Sequence, residues 1–258
     1  HVALAVSFAG QVLVLHDLFD LTQYSITWFI LFASQLALAV VMPNFVHRVL
    51  CSVLCAYCLF ILLASFSVPY MAGSIVMLAA AWLWLHEFSY PKHMRKQQAI
   101  GYGLILALII VKGIALYRFR IIYWYTVNFD MHSWVQPWMG EVLAGAVMLY
   151  VVWQILKRFG HGFSDPTTIT ALIVTVILSA VSMEARGITV GILILILGFA
   201  GSNRVLMGLG IASLLFFISS YYYLLEATLL HKSKTLLIMG LVLIGARWLI
   251  MRITSTGR

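Results

Sequence analysis

The chain of 258 residues is 63% hydrophobic and only 9% charged, with a mean hydropathy of +1.03. A soluble domain of this length could not bury so much apolar surface while covering itself with so few charges, so the lipid bilayer must be its solvent. The net charge of +8 fits Lys and Arg retained beside a membrane better than a nucleic-acid-binding surface, and we expect no nucleic-acid partner.

Ten apolar segments follow one another along the chain, and their apolar character is continuous rather than alternating, which predicts helices and not a barrel. They are Val2–Leu15, Tyr24–Met42, Val46–Ala64, Tyr70–Leu85, Ala99–Tyr117, Trp138–Leu156, Thr168–Met183, Gly187–Ala200, Val205–Ser220 and Leu236–Ile250. The prediction is an all-α polytopic transmembrane helical bundle, with residues 1–258 as a single integral membrane domain in contact with membrane lipids. No basic region precedes the first segment, so we expect no signal peptide, and the natural chain could be longer.

The third segment holds the three cysteines, Cys51, Cys55 and Cys58. Their spacing of four and three residues places them on one face of a helix. A metal or haem site is conceivable there, but small apolar residues that pack at a helix seam are the favoured interpretation. We therefore assign no metal and no cofactor.

The deepest charged side chain is Lys112, about 20 Å into the fifth segment at about 1.5 Å per residue. Two interpretations stay open. Lys112 could extend its stem outward to the membrane surface, or it could pair with Glu141, which lies about one turn into the sixth segment from the same face. Charged groups inside a bilayer are costly, so they are functional candidates.

The seventh and eighth segments are the shortest internal pair, and a spanning helix needs about 20 residues. They form either two short spans or a re-entrant pair that lines a cavity. Glu184 and Arg186 lie in the turn between them, where they either cap the helices or line that cavity. Together with Lys112 and Glu141 they make a candidate intramembrane polar site.

The ninth and tenth segments are joined by a polar stretch, Tyr221-Tyr222-Tyr223-Leu224-Leu225-Glu226-Ala227-Thr228-Leu229-Leu230-His231-Lys232-Ser233. The tyrosines are typical of anchoring at the membrane–water interface. An acid and a lysine beside them also make a candidate partner or ligand site. Its residues are Tyr221, Tyr222, Tyr223, Glu226, Lys232 and Ser233.

This stretch and the preceding turn, Gly201-Ser202-Asn203-Arg204, resemble the C-terminal part of a bacterial family of uncharacterised multi-pass inner-membrane proteins. The family pattern is a Gly-x-Asn/Arg-Arg turn, an apolar helix, the YYYxLD/ExTLLxKS motif and a second apolar helix, with Glu226 here where members tend to have Asp. The resemblance covers residues 186–250. It implies a bacterial inner-membrane location and a membrane-anchored partner that carries a GDYxxLxY motif, and it implies no activity.

The distribution of Lys and Arg orients the helices. With the N-terminus in the cytoplasm, most of these residues fall in inside loops, as positive charges in bacterial membranes do. We expect both termini in the cytoplasm and the polar stretch on the outer face.

No motif of a soluble enzyme is present, so we assign no catalytic residue and do not favour an enzyme. The first functional hypothesis is a membrane subunit or scaffold that presents its outer-face polar and aromatic site to an extracytoplasmic or membrane-anchored partner. The alternative is a transporter of a small solute, with an anion as one candidate, lined by Lys112, Glu141 and Arg186. An enzyme acting on lipid would need an acid–base or metal constellation, and we find none in the sequence. Co-purification with lipids and partners would separate these hypotheses.

Overall fold

A computed structural model describes residues 9–11, 13, 25–86, 94–117, 137–160, 162, 165–183 and 187–224. It also describes positions 230, 233–234, 237–238, 240–242, 244–245 and 248. These residues are helical or lie in turns and short connections, and no strand occurs among them. The all-α class is therefore confirmed for the described part of the chain.

Eight helices have described bounds. They are α1 (Ser25–Val41), α2 (Phe45–Ser65), α3 (Tyr70–Leu85), α4 (Met94–Tyr117), α5 (Pro137–Arg158), α6 (Pro166–Ser182), α7 (Ile188–Ala200) and α8 (Arg204–Leu224). The first and tenth predicted segments fall largely outside the described residues, although the described positions within them are helical.

Four helices contain stretches long and apolar enough to cross a membrane, by length and composition. These stretches are Phe45–Ser65, Met94–Ile114, Trp138–Arg158 and Arg204–Tyr223. The other four helices are apolar but shorter, down to the 13 residues of α7. The structure thus supports a membrane protein, while ten spans and a re-entrant pair stay predictions.

Two predicted boundaries are wrong. α4 begins at Met94, ahead of the expected Ala99. Arg95 and Lys96, which precede the predicted segment, are therefore helical. α8 continues to Leu224, so the tyrosine triplet belongs to the helix and not to the turn after it. The triplet stays helical because Tyr221 packs into the protein, and tertiary packing outweighs the modest helix propensity of tyrosine.

The chain divides into two compact units. One holds α1, α2, α3 and α4 as far as Val111, and the other holds α4 from Lys112 together with α5 to α8. Each unit has its own buried residues and is described separately.

In the first unit, α1 and α2 pack as a hairpin around a buried apolar cluster. The members of the cluster are Trp28, Leu31, Cys58, Ile61 and Leu62. Pro43 and Asn44 make the connection, and the Asn44 side chain accepts a 3.1 Å hydrogen bond from the backbone N–H of Val46. This cap satisfies one of the free N–H groups at the start of α2.

A buried arginine joins the two helices at the loop end of this hairpin. Arg48, in the first turn of α2, donates from Nε to the carbonyl oxygen of Ala39 at 2.7 Å. Its Nη2 also donates to the carbonyl oxygens of Val40 and Met42. The last carbonyls of a helix have no partner within the helix and carry the negative end of its dipole, so a guanidinium there stabilises the end of α1.

In the second unit, α7 and α8 form the most closely packed pair. A Cβ atom on Gly191, Gly198 or Gly210 would lie within 3.0 Å of an atom on the facing helix. Small residues at these positions let the two backbones approach. Asn203 caps α8, because its Oδ1 accepts from the N–H groups of Val205 and Leu206 at 3.1 and 3.2 Å.

The residue that precedes α7 must be glycine. Gly187 has a φ of +95°, and a Cβ atom there would lie 2.4 Å from the ring of Phe217 on α8. Both the backbone conformation and the space exclude a side chain. Close to Gly187 in sequence, the Ser182 hydroxyl accepts a hydrogen bond from the backbone N–H of Thr189 at 3.1 Å. It also shares a hydrogen bond with the side-chain hydroxyl of Thr189.

Candidate functional site

The second unit contains a buried ion pair. Lys112 near the end of α4 places its Nζ 2.7 Å from Oε1 of Glu141, which lies near the start of α5. The two side chains are only 9% and 6% exposed. The pairing that the sequence allowed is therefore formed, and the interpretation in which Lys112 extends alone to the membrane surface is wrong.

Both members of this pair are buried away from solvent. Taking two charges out of water is costly, and their attraction offsets that cost only when the remaining polar atoms are bonded too. The pair therefore adds little net stability when intact, but breaking it strands a buried charge. An ionisable residue buried in a membrane protein is therefore a candidate for a functional site.

The carboxylate of Glu141 is only half satisfied. Its Oε2 is buried and has no hydrogen-bond partner among the residues that the structure describes. The hydroxyl of Ser179 on α6 is buried in the same state. Ser179 faces Gly145, where a Cβ atom would lie 3.1 Å from the serine Cβ and 3.3 Å from its Oγ. Most buried polar groups have a partner, so two open ones on facing helices need an explanation.

Ser179 belongs to a line of hydroxyl side chains on α6 that sequence reasoning missed. Thr168, Thr175 and Ser182 are buried and follow one another at intervals of seven residues, which places them on one helical face. Ser179 lies next to this face. The seven-residue interval was the available signal, but serine and threonine are common in membrane helices and did not stand out.

Glu184 and Arg186, the other members of the predicted intramembrane site, lie outside the described residues. Their role in capping a turn or lining a cavity stays a prediction. The residues brought together are Lys112 and Glu141. Ser179 on α6 faces Gly145, which lies about one helical turn along α5 from Glu141.

The three tyrosines at the end of α8 differ in burial. Tyr221 is buried, and its hydroxyl has no partner among the described residues. Tyr222 and Tyr223 are 45% and 83% exposed, and their rings make an edge-to-face contact with centroids 5.5 Å apart. Tyr221 is therefore not part of an exposed surface. Ser233 is exposed, and its hydroxyl donates to the carbonyl oxygen of Leu230 at 3.0 Å.

The remaining members of that candidate site, Glu226 and Lys232, lie outside the described residues. Their contribution to a partner site stays a prediction. What the structure supplies is a pair of exposed aromatic rings at the C-terminal end of α8.

The cysteines are free thiols, all buried in α2. Within the described part of the chain, no group of three His, Cys, Asp or Glu side chains is placed to hold a metal ion. Near Cys51, Nε2 of Gln11 lies 3.2 Å from Nε2 of His47. Sequence reasoning did not identify this contact, since the two residues come from different segments.

The comparisons with known proteins match residues 1–253 to a family described as Domain of unknown function (DUF4401). They match no curated protein and no solved structure to the chain. The family match spans nearly the whole chain and agrees with the uncharacterised family that the sequence resembles. The chain therefore belongs to the DUF4401 family.

Proposed function

We propose that the chain is an integral inner-membrane subunit or scaffold that presents an outer-face aromatic and polar site to a membrane-anchored partner. The exposure of Tyr222 and Tyr223 at the end of α8, beside the buried Tyr221, is the observation that carries this proposal. Successive residues of a helix point about 100° apart, so three tyrosines in a row cannot all face the protein interior. Tyr221 packs into the protein, and Tyr222 and Tyr223 are exposed.

Exposed tyrosines suit recognition because they offer a large contact area with few rotatable bonds. Interfacial anchoring alone would account for one or two of them. Glu226 and Lys232 follow within nine residues of Tyr223 in the sequence. A pair of charges exposed to solvent adds little stability, about 0–1 kcal/mol, so stability alone does not account for them. Aromatic rings combined with both signs of charge favour docking of a polar partner, and the family resemblance supplies a candidate in the GDYxxLxY-motif protein.

The test is capture of that protein by the full chain from gently solubilised membranes. Tyr222→Ala with Tyr223→Ala, and Glu226→Gln with Lys232→Gln, should lower capture severalfold at an unchanged melting temperature. Phe159→Ala is the matched control, because Phe159 is also an exposed aromatic residue but lies between α5 and α6. Unchanged capture, or a loss of melting temperature large enough to explain the loss of capture, would refute the docking site.

The proposal also places both termini in the cytoplasm of a bacterial cell. On a background without cysteines, Ser233→Cys should react with an impermeant thiol reagent added to intact spheroplasts, and Lys96→Cys should not. Both residues are exposed, so access to the reagent depends on the side of the membrane. Reaction at position 96 from outside would reverse the orientation.

Transport of a small solute is the second candidate, and the buried Lys112–Glu141 pair favours it. Ion pairs inside a bilayer often mark the path of a substrate or ion. The two candidates differ in their sensitive residues. Changes at the pair should alter solute flux into proteoliposomes and leave partner capture intact, whereas changes at the tyrosines should do the reverse.

A further inference from the structure

We infer that the start of α4 binds an anionic phospholipid, with its phosphate on Arg95 and Lys96 and an acyl chain along the exposed ring of Phe45. The starting observation is that both cations are exposed and that no aspartate or glutamate occurs among the described residues of the first unit. The sequence between α3 and α4 holds one acid and one lysine, Glu87 and Lys92, so their charges cancel. An anion that pairs with Arg95 and Lys96 therefore comes from outside the chain.

The length of α4 places these cations at the level of lipid headgroups. The helix has 24 residues, or about 36 Å at about 1.5 Å per residue, whereas the hydrocarbon layer of a bilayer is about 30 Å thick. The start of α4 is its polar end, with the run Arg95-Lys96-Gln97-Gln98, whereas its last turn, Ile114–Tyr117, is apolar or aromatic. The polar end is therefore the one that reaches the headgroup region, and long cationic side chains there extend to the phosphates.

An aromatic surface continues from these cations along α4. Tyr102 follows Arg95 by seven residues, so the two lie on one face of the helix. The ring of Tyr102 contacts the rings of Phe45 on α2 and Trp84 on α3, with centroids 6.4 and 5.1 Å apart. Phe45 is 42% exposed, so its ring is open to the acyl chain of a lipid whose headgroup is bound above it. This apolar contact favours a lipid over a soluble phosphate compound.

The two cations do not stabilise α4 itself. The N-terminus of a helix is the positive end of its dipole, where an acidic side chain is favourable and a cation is not. α4 has no acidic residue in its first turn and has Arg95 and Lys96 there instead. A bound phosphate offsets this unfavourable arrangement, since arginine and lysine side chains bind phosphate oxygens with charge-assisted hydrogen bonds.

This inference is independent of docking at the tyrosines and of transport, and it holds whichever leaflet surrounds the start of α4. The experiment uses the full chain, purified in an uncharged detergent and depleted of lipid. Its melting temperature is followed as phosphatidylglycerol, or phosphatidylcholine with the same acyl chains, is added at increasing mole fraction. Glycerol phosphate, a soluble compound with the same phosphate chemistry, is tested alongside.

Phosphatidylglycerol should raise the melting temperature to a plateau at a much lower mole fraction than phosphatidylcholine requires, since a ligand of the folded chain stabilises it. Glycerol phosphate should give no plateau, because it has no acyl chain to lie on Phe45.

Removing the two cations should weaken this binding. Arg95→Gln with Lys96→Gln should raise the half-saturating mole fraction of phosphatidylglycerol about tenfold to thirtyfold, since each cation beside an anionic lipid contributes about fivefold in affinity. Both positions are exposed, so the variant should fold. Arg95→Lys with Lys96→Arg keeps both charges and should bind as the unaltered chain does.

Lys157→Gln with Arg158→Gln is the matched control, because it removes the same charge from another exposed pair, in the last turn of α5. There the cations face the negative end of the helix dipole, and Nζ of Lys157 lies 5.4 Å from the centre of the Trp153 ring. This variant should bind phosphatidylglycerol as the unaltered chain does. The inference is overturned if phosphatidylcholine matches phosphatidylglycerol, if glycerol phosphate gives a plateau, if the control weakens binding as much as the glutamine changes at Arg95 and Lys96, or if those changes have no effect.

Discussion

Breaking the Lys112–Glu141 pair from one side should be far more harmful than removing it altogether. Lys112→Met leaves the carboxylate of Glu141 buried without its cation, and Glu141→Leu leaves the ammonium of Lys112 in the same state. Both side chains are less than one-tenth exposed, so solvent does not screen the stranded charge. Losing one partner of such a pair lowers the free energy of unfolding by about 3–5 kcal/mol.

The double variant should recover most of that loss. Methionine and leucine at the two positions carry no charge and are close to the original side chains in size. Replacing a buried ion pair with apolar residues is often neutral or stabilising. At about 2–4 °C per kcal/mol for a chain of this size, each single change should lower the melting temperature by about 6–20 °C, and the double change by much less.

The measurement is thermal unfolding of the four proteins in one detergent, analysed as a double-mutant cycle. Lys96→Met is the control, since Lys96 lies on the same helix but is exposed, and its change should stay within about 0.5 kcal/mol. If the two single effects simply add in the double variant, Lys112 and Glu141 do not depend on each other, and the reasoning from burial is refuted.

Two further predictions concern the ends of helices. Arg48→Met should lower the free energy of unfolding of the detergent-purified chain by several kcal/mol, because hydrogen bonds to a charged group contribute about 1.5–3 kcal/mol each. The control is Arg204→Met, which should have little effect because Arg204 is exposed. A melting temperature equally insensitive to both changes would contradict the role of Arg48. Gly187→Ala should lower the free energy of unfolding by more than about 1 kcal/mol, since φ of Gly187 is positive and the ring of Phe217 occupies the space of a Cβ atom. Gly208→Ala is the control, because the space beside Gly208 is open, and it should be neutral or stabilising. Equal melting temperatures for the two alanine variants would contradict this.

The helices were predictable from the sequence because apolar length is a strong signal. The described helices from α1 to α8 coincide with predicted segments, since in a bilayer each backbone polar group must be bonded within its own helix. The ends were less predictable. α4 begins at Met94 and α8 ends at Leu224, so both helices extend into polar or aromatic sequence. Hydropathy falls there, but helical hydrogen bonding continues.

The candidate site was predictable only where charge marked it. Lys112 and Glu141 stood out because each is a charged residue in an apolar segment, and equal depth from one face suggested the pair. Arg48 lies within the third predicted segment and was not identified as a candidate. Its burial depends on carbonyl groups of another helix, which leave no trace in side-chain composition. Ser179 was missed for a related reason, because whether a hydroxyl is satisfied depends on which residue faces it.

The Arg48 contacts also bear on how the protein is made. The guanidinium has its partners only when α1 ends at Val41 and α2 lies beside it, since the acceptors are the carbonyl groups of Ala39, Val40 and Met42. Until then the charge must stay with water or lipid headgroups, because an unpaired arginine enters hydrocarbon at a large penalty. The guanidinium of Arg48 is therefore fully paired only once the end of α1 and the start of α2 have come together, so formation of this hairpin must precede any burial of the charge.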